Sequence, residues 1–405
     1  MQTRRFVVVG AVAAAALLAG MANAGADPAS DTSDRRGVEV KAPQGAARMA
    51  VDPIPSEFVA VTPARVLDTR NSGVPVGQGS NAVIDLNGAI PGNATAVVLN
   101  VTATAPTGFT FVTAYPAAEE RPDASNLNLV PGQTRANQVT VGVNPDRLVA
   151  LYNNAGSVHL IADLAGYYID GDASLYTPVT PGRVLDTRNS GPVGGGGAVN
   201  IAFPWLPNDA TTVTFNLTAL NATTGTFVTA FPAGQPRPLA SSLNLNPNET
   251  VPNQVTVPLG VNKTVTLFNN AGSVHLIADM VGYYATGGGS YFVPITPARV
   301  MDTRPGLGLT PDIYIALTGW SAEVIGVSAN VTGTNPSAGG YVVVYPGGAD
   351  IPFASNLNLV PGQTAANAVN VGVGFDQGVN DRSINFANSA GYVDVIFDIA
   401  GIFIV

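Results

Sequence analysis

Apolar and polar residues alternate one by one along much of the chain, which is the period of a β-strand. In residues 212–219, Val213, Phe215, Leu217 and Ala219 share one face, and threonine and asparagine occupy the other. The same pattern predicts strands at residues 58–67, 82–87, 95–104, 109–115, 136–143, 147–153 and 157–169. Turn-forming Pro-Gly, Pro-Thr-Gly and Asn-Ala-Gly steps separate these segments. With no sustained helical stripe, the pattern predicts an all-β fold.

Several segments recur at a nearly constant distance. Arg65, Arg183 and Arg299 open three copies of one motif and stand 118 and 116 residues apart. Other segments reappear unchanged, namely Ala124–Thr134 as Ala354–Thr364, and Asn153–Asp163 as Asn269–Asp279. A period of this length is a whole small domain rather than one coil of a solenoid. The chain therefore contains three complete modules.

Seven or eight short strands in each module predict an antiparallel β-sandwich, and both jelly-roll and immunoglobulin-like connectivity fit the spacing. We place the three tandem β-sandwich modules at residues 58–170, 175–286 and 291–405, joined by short polar or glycine-rich segments. Residues 25–57 lack periodicity and are predicted to be a disordered N-terminal arm.

The first 24 residues have the pattern of a cleavable export signal. Arg4 and Arg5 precede the apolar stretch Phe6–Leu18, and Ala22 and Ala24 are the small residues that suit cleavage. This predicts a secreted protein, extracellular or associated with the cell wall, and leaves open whether the general or the twin-arginine route exports it. No later segment stays apolar for the roughly 20 residues of a membrane span.

Composition narrows the function classes. The chain has no cysteine, which excludes disulfides, a thiolate nucleophile and a zinc–thiolate site. Its formal charge is −9, and loss of Arg4 and Arg5 with the signal would leave −11. Such a charge is a poor match to a phosphate backbone, so nucleic acid is not expected as a partner.

The recurring motifs resemble a known family. Ala-Arg-Val-Leu-Asp-Thr-Arg at 64–70, Ala-Ser-Asn-Leu-Asn-Leu at 124–129, and Ile-Ala-Asp-Leu-Ala-Gly-Tyr-Tyr at 161–168 resemble the exported repeat module common in actinobacteria. Such modules occur in tandem or are appended to secreted cell-wall amidases and peptidases. The resemblance covers nearly all of residues 58–405 and implies an extracellular β-module without catalytic residues.

Charged residues that recur in all three copies are the candidates for a structural network. In an extended strand Asp68 and Arg70 share a face opposite Arg65, so the two arginines are expected to address different acids. We predict ion pairs that tie the first strand of each module to its last, with a ligand-binding cleft as the alternative. The set comprises Arg65, Asp68, Arg70, Asp163, Arg183, Asp186, Arg188, Asp279, Arg299, Asp302, Arg304 and Asp398.

Recurring aromatic and amide side chains are the candidates for glycan binding. An aromatic residue precedes a proline at matching positions, and asparagines recur nearby, with Ser242 in place of one of them. The alternative is that the rings fill the core and the amides satisfy turns. The candidate binding residues are Tyr115, Asn126, Asn128, Asn137, Phe231, Asn244, Asn253, Tyr345, Asn356, Asn358 and Asn367.

Catalytic constellations are weak by comparison. His159 and His275 each precede an aspartate by four residues, but on a strand this places their Cα atoms roughly 13 Å apart, and the third copy has Asp394 instead. Glu119, Glu120 and Asp123 form an acidic cluster without a counterpart in the second copy. We predict no enzyme activity, no cofactor and no metal site.

The sequence hypothesis is a secreted, non-catalytic protein that binds polysaccharide or cell-wall material through several similar sites. Tandem presentation favours this because weak sites gain affinity through effective concentration. The first alternative is a structural protein that self-associates into an extracellular layer or filament. A secreted hydrolase is the second alternative.

Overall fold

The computed structural model describes residues 35–42 and 54–405, and the predicted signal peptide lies outside these residues. Strands dominate, and they form three consecutive groups, which we call modules 1, 2 and 3. Module 1 contains β2 (Glu57–Asp68), β3 (Ser80–Asp85), β4 (Ala94–Thr104), β5 (Thr110–Pro116), β6 (Leu127–Leu129), β7 (Arg135–Gly142), β8 (Leu148–Asn153) and β9 (His159–Ile169), preceded by β1 (Arg36–Lys41).

Modules 2 and 3 repeat this order. Module 2 contains β10 (Leu175–Asp186), β11 (Val193–Gly194), β12 (Ala198–Ala202), β13 (Ala210–Leu220), β14 (Thr226–Pro232), β15 (Leu243–Leu245), β16 (Val251–Pro258), β17 (Thr264–Asn269) and β18 (Ser273–Ala285), with 3-10 helices at Thr187–Asn189 and Val261–Lys263. Module 3 contains β19 (Tyr291–Asp302), β20 (Ile313–Thr318), β21 (Val324–Thr334), β22 (Gly340–Pro346), β23 (Leu357–Leu359), β24 (Ala365–Gly372), β25 (Gly374–Asp376), β26 (Asp381–Asn388) and β27 (Asp394–Ile404).

Each module is a sandwich of two antiparallel sheets. In module 1 the strand orders are β2-β9-β4-β7, called the inner sheet, and β3-β8-β5-β6, called the outer sheet. The first strand pairs with the eighth, the second with the seventh, the third with the sixth, and the fourth with the fifth. This is an eight-stranded hairpin rolled up on itself, which is a jelly roll. The prediction of three antiparallel β-sandwich modules is confirmed, and the strand order selects the jelly-roll connectivity.

Each sandwich buries its own apolar core. In module 1 the core side chains include Ile84, Leu99, Val112 and Leu151, all fully buried. Modules 2 and 3 have equivalent clusters. The alternating apolar positions that predicted the strands are the positions that face these cores. Strand β6, with only three residues, is too short to show such a period and was not predicted.

The three modules are not arranged in a line; they form a closed ring. Backbone pairs join the start of each module to that of another: Phe58 with Ser174, Tyr176 with Ser290, and Phe292 with Ser56. These contacts run in one rotational sense and return to the first module. The molecule therefore has pseudo-threefold symmetry with heterologous contacts, as in a cyclic trimer made from one chain.

A fourth apolar cluster lies on the ring axis and is shared by all modules. It consists of one ring from the first strand and one from the last strand of each module: Phe58, Tyr168, Tyr176, Tyr284, Phe292 and Phe403. Their centroids stack across modules at 4.3 Å for Phe58 and Tyr284, and at 4.1 Å for Tyr168 and Phe292. This shared core was not predicted, because in the sequence each of these rings is indistinguishable from a core residue of its own module.

The glycine that stands two residues before the axial ring of each last strand is required by this packing. A Cβ atom at Gly166 would collide with the ring of Phe58, and one at Gly282 would collide with Tyr176. The same holds for Gly401 and Phe292 in module 3. The absence of a side chain at this glycine therefore lets the axial ring of the first strand pack directly on the backbone of the last strand.

Strand β1 corrects the prediction of a disordered arm for residues 36–41. It pairs in parallel with β20 at the edge of the outer sheet of module 3, with Val38 opposite Ile315 and Val40 opposite Leu317. The two valines supply a short alternating pattern that is too brief to stand out in a polar segment. The prediction is also wrong at the end of the arm, where Ser56 is buried and pairs with Phe292, and Glu57 begins β2. Residues 25–34 and 43–53 of the predicted arm lie outside the described residues.

Candidate functional site

The recurring Asn of the Asn-Gln-Val step is fully buried where two modules meet. The amide Nδ2 of Asn253 donates to Asn100 Oδ1 of module 1 at 2.8 Å and to the Ser242 carbonyl at 2.6 Å, and its Oδ1 accepts from the Gln138 backbone N–H at 2.8 Å. Asn137 and Asn367 make the corresponding bonds at the other two contacts. These three asparagines were candidates for glycan binding, and that interpretation is wrong because no atom of them reaches solvent.

We call the three contacts seam 1/2, seam 2/3 and seam 3/1 after the modules they join. At each seam an inner-sheet asparagine reaches a carbonyl in the Ala-Ser loop of the next module. Asn100 donates to the Ser241 carbonyl at 2.6 Å, Asn216 to the Ser355 carbonyl at 2.5 Å, and Asn330 to the Ser125 carbonyl at 2.8 Å. The Ala-Ser motif is thus a docking loop.

The recurring charges form a compact cluster beside each seam. In module 1, Arg65 Nε lies 2.5 Å from Asp163 Oδ1 on the last strand, and Arg65 Nη1 lies 2.9 Å from Asp68 Oδ2. Arg70 Nη2 lies 2.6 Å from the same Asp68 oxygen. Modules 2 and 3 repeat the cluster with Arg183, Asp186, Arg188 and Asp279, and with Arg299, Asp302, Arg304 and Asp398.

Arg65 does not lie opposite Asp68, contrary to the alternation rule. A register shift between Arg65 and Leu67, where the strand bulges against β9, brings the arginine to the side of Asp68. Its remaining Nη2 donates to the Leu239 carbonyl of module 2 at 2.8 Å. The cluster therefore holds the first strand to the last and also holds one module to the next.

The pKa values of the two aspartates in each cluster are shifted in opposite directions. The side-chain hydrogen bond from Arg70 lowers the pKa of Asp68 to about 2, despite a smaller opposing effect of burial. Burial raises the pKa of Asp163, and the bond from Arg65 opposes this. Asp279 and Asp398 shift in the same direction as Asp163 for the same reason. These carboxylates are paired with arginines of the same module, and the cluster offers no open cleft for a ligand.

The aromatic candidates are also buried. Tyr115, Phe231 and Tyr345 are 6%, 8% and 2% exposed, respectively, so none offers a ring face to a sugar. Tyr115 packs beside Ala117 and Ala150 and accepts a hydrogen bond from Asn81 at 3.0 Å. Here the alternative interpretation, that the rings fill apolar space, describes their position.

The remaining asparagine candidates divide into two kinds. Asn126 and Asn356 each accept a bond from a backbone N–H at 2.7 Å and so fix the docking loop, as Ser242 does in module 2. Asn128, Asn244 and Asn358 lie half-buried on the outward face of the outer sheets. Each is the cross-strand partner of an aromatic residue: Phe111, Phe227 and Tyr341, respectively.

In modules 1 and 2 these partners belong to a half-buried aromatic surface, which we call the outer patch. In module 1 it comprises Phe111, Asn128, Tyr152 and Arg121. The rings of Phe111 and Tyr152 are 6.2 Å apart, and the Arg121 guanidinium lies 4.4 Å from the Tyr152 centroid. Module 2 has Phe227, Asn244, Phe268 and Arg237, with the guanidinium 4.1 Å from the Phe268 ring.

Module 3 lacks two members of the outer patch. It keeps Tyr341 and Asn358, but Ala387 stands at the position of the second ring and Ile351 at that of the arginine. Both contribute instead to a small apolar cluster with Tyr345. Sequence reasoning missed Phe111 and Phe227 because it took only the aromatic residue before each proline, although the same strand face carries a ring four residues earlier.

The histidines and the acidic cluster do not form catalytic arrangements. His159 Nδ1 lies 3.1 Å from Thr69 Oγ1, and His275 Nδ1 lies 3.3 Å from Thr187 Oγ1, whereas Asp163 and Asp279 pair with arginines. Asp123 lies 3.7 Å from Arg299 across seam 3/1, and Glu119 and Glu120 are exposed.

The described part of the chain offers little enclosed space. Two cavities at seams 3/1 and 1/2 have volumes of about 20 Å³ each, which is room for about one water molecule. Residues 35–42 and 54–405 contain no group of three or more His, Cys, Asp or Glu side chains that could hold a metal ion. They also contain no helix long and apolar enough to cross a membrane.

No protein-family model matches the chain, and no curated protein matches it. Among solved structures it is similar to Sulfolobus turreted icosahedral virus, with 9% identity over 86% of this chain and 91% of that one and a TM-score of 0.18. A tandem of two CBM22 domains from Paenibacillus barcinonensis Xyn10C matches with 10% identity over 59% of this chain and 99% of that one, also at 0.18. The fold assignment therefore rests on strand order.

Proposed function

We propose that the protein is a secreted, non-catalytic binder of extracellular polysaccharide, such as cell-wall glycan, that contacts its ligand through the outer patches of modules 1 and 2. The observation that carries this proposal is a group of two half-buried rings and an amide on one outer-sheet face, with a guanidinium from the neighbouring loop, that occurs twice in one molecule. Rings stack on the apolar faces of sugars, while amide and guanidinium groups bond hydroxyls.

The closed arrangement of the three modules supports this function in two ways. The recurring buried polar residues form the seams between modules. The outer sheets, which also occur once in each module, are therefore the faces that a ligand can reach. Two similar patches in one rigid body are held at a fixed separation, and a repeating polymer that spans both gains affinity through effective concentration.

The test is retention of the mature chain on insoluble peptidoglycan, chitin and cellulose. Phe111→Ala combined with Phe227→Ala is expected to lower retention on the bound polymer by at least about tenfold, because both patches lose their central ring. Tyr341→Ala in module 3 is the matched control, since that face lacks the second ring and the arginine, and it is expected to leave retention unchanged.

Two results would contradict the proposal. One is full retention of the double variant, and the other is the absence of retention of the unchanged chain on all three polymers. Growth in mass without any polymer, measured by light scattering, would favour the alternative of a self-associating structural protein. Release of reducing ends from cell-wall material would favour a hydrolase.

A further inference from the structure

The three seams are built from the same motifs but do not make the same hydrogen bonds. At seam 1/2, Gln138 Nε2 donates to Thr256 Oγ1 at 3.1 Å, and Gln138 Oε1 accepts from the Thr256 backbone N–H at 2.8 Å. At seam 2/3, Gln254 makes the equivalent pair of bonds with Asn370 at 3.2 and 2.6 Å. At seam 3/1 the position is Ala368, whose side chain can make neither bond, and a single bond from Ser328 Oγ to Thr140 Oγ1 at 3.1 Å is found there instead.

The arginine contact is also weaker at seam 3/1. Arg65 and Arg183 donate to carbonyl oxygens of the next module at 2.8 and 3.1 Å. Arg299 has only a 3.7 Å approach to Asp123, a fully exposed carboxylate whose pairing contributes little in water. In addition, seams 1/2 and 2/3 are each bridged by the chain joint between consecutive modules, and modules 3 and 1 have no such joint.

Strand β1 supplies a link at this one seam. It belongs to the chain that leads into module 1, yet it pairs over its whole length with β20 of module 3, and Glu39 accepts a bond from Thr318 at 3.0 Å. The β20 side chains it helps to cover, Ile315 and Leu317, are fully buried. The corresponding edge strands β3 and β12 carry no such added strand in the described residues, and Asp85 and Asn200 keep them polar.

We propose that β1 is a strap that holds seam 3/1 closed, and that release of this strap lets module 1 bind module 3 of a second copy of this chain. The partner follows from the geometry. The contacts are heterologous, so module 1 presents to any copy of module 3 the surface that it presents to its own. Exchange of an identical unit between copies makes and breaks the same contacts and needs only an open seam.

Cysteine pairing tests the exchange directly, because the chain has no native cysteine. Thr140 and Ser328 face each other across seam 3/1, with their hydroxyl oxygens 3.1 Å apart. One mature chain carries Thr140→Cys and another carries Ser328→Cys, and the two are mixed and oxidised. Only docking of module 3 from one chain on module 1 of the other gives the mixed disulfide dimer. Val38→Pro with Val40→Pro in both chains breaks β1.

Breaking the strap is expected to raise the yield of mixed dimer by about tenfold over chains with intact β1. Adding Ala368→Gln, which restores the glutamine to seam 3/1, is expected to lower it again. Gln138→Ala in strapped chains is the matched control, since it weakens a covalently joined seam and is expected to give no dimer.

A single chain with both cysteines and the broken strap must form its internal disulfide, which shows that the modules fold. Internal disulfide without mixed dimer would overturn the proposal, as would equal dimer yield with intact and broken β1.

Discussion

The contacts between modules, at the seams and on the axis, use the same residue types as the outer sheets but in the opposite way. At seam 1/2, Asn253 is fully buried and bonds groups of β4, β7 and the docking loop, and on the axis Phe292 stacks on a ring of another module. On the outer sheet, Asn244 lies half-buried beside the half-buried Phe227. Recurrence of a residue in all three modules therefore does not by itself indicate a ligand site. Here most recurring motifs make the modules fit each other, and ligand binding is left to positions that recur less strictly.

The largest expected effect of a single substitution is at the axial rings. Phe292→Ala removes a fully buried ring that packs on Tyr168 and Gly401, so it is expected to lower the free energy of unfolding by about 4 kcal/mol. Urea denaturation measures the loss. Phe227→Ala on the outer patch is the matched substitution and is expected to cost under about 1 kcal/mol, because its ring is partly in water. Equal losses would break the distinction between axis and surface.

The seam asparagines come next. Asn253→Ala leaves a buried backbone N–H, a carbonyl and an amide oxygen without their partner, and it is expected to lower the free energy of unfolding by about 3 kcal/mol. Asn244→Ala changes the same residue type on the outer face and is expected to cost under about 0.5 kcal/mol. Chemical denaturation of the two variants side by side checks this; a harmless Asn253→Ala would mean that the seams do not hold the ring.

The charged clusters give a smaller effect that depends on pH. Because the pKa of Asp68 is lowered to about 2, its ionised form stabilises the fold above its unfolded pKa of about 3.9, and this contribution is lost as pH falls towards about 2. Asp68→Asn is expected to lower the melting temperature by about 3 °C at pH 5. The difference between the two chains should shrink between pH 5 and 2.5. A difference that is constant over this range would contradict the assigned role.

Polysaccharide retention separates the two regions further. Asp68→Asn is not expected to change retention at pH 5, because Asp68 pairs with Arg65 and Arg70 and belongs to no outer patch. Loss of retention with an unchanged melting curve would instead make the charged cluster a binding site.

Much of each module could be predicted from the sequence, because apolar and polar residues alternate along a strand that buries one face. Val213, Phe215 and Leu217 were expected to face a core, and they do. The ring could not be predicted, because a side chain buried by a neighbouring module has the same pattern as one buried by its own. Phe58 and Tyr168 stand in apolar strand segments as core residues do, although they pack on the axis. The bulge at Arg65 likewise has no marker in the sequence, and it reversed the expected face.

The central claim is that the three modules form a closed ring, and small-angle X-ray scattering of the mature chain tests it most directly. A compact ring of this length predicts a radius of gyration of about 22 Å. Three separate modules strung in a line would give about 30 Å or more. The account predicts the smaller value at all protein concentrations, and the larger value, with a maximum dimension that grows accordingly, would contradict it.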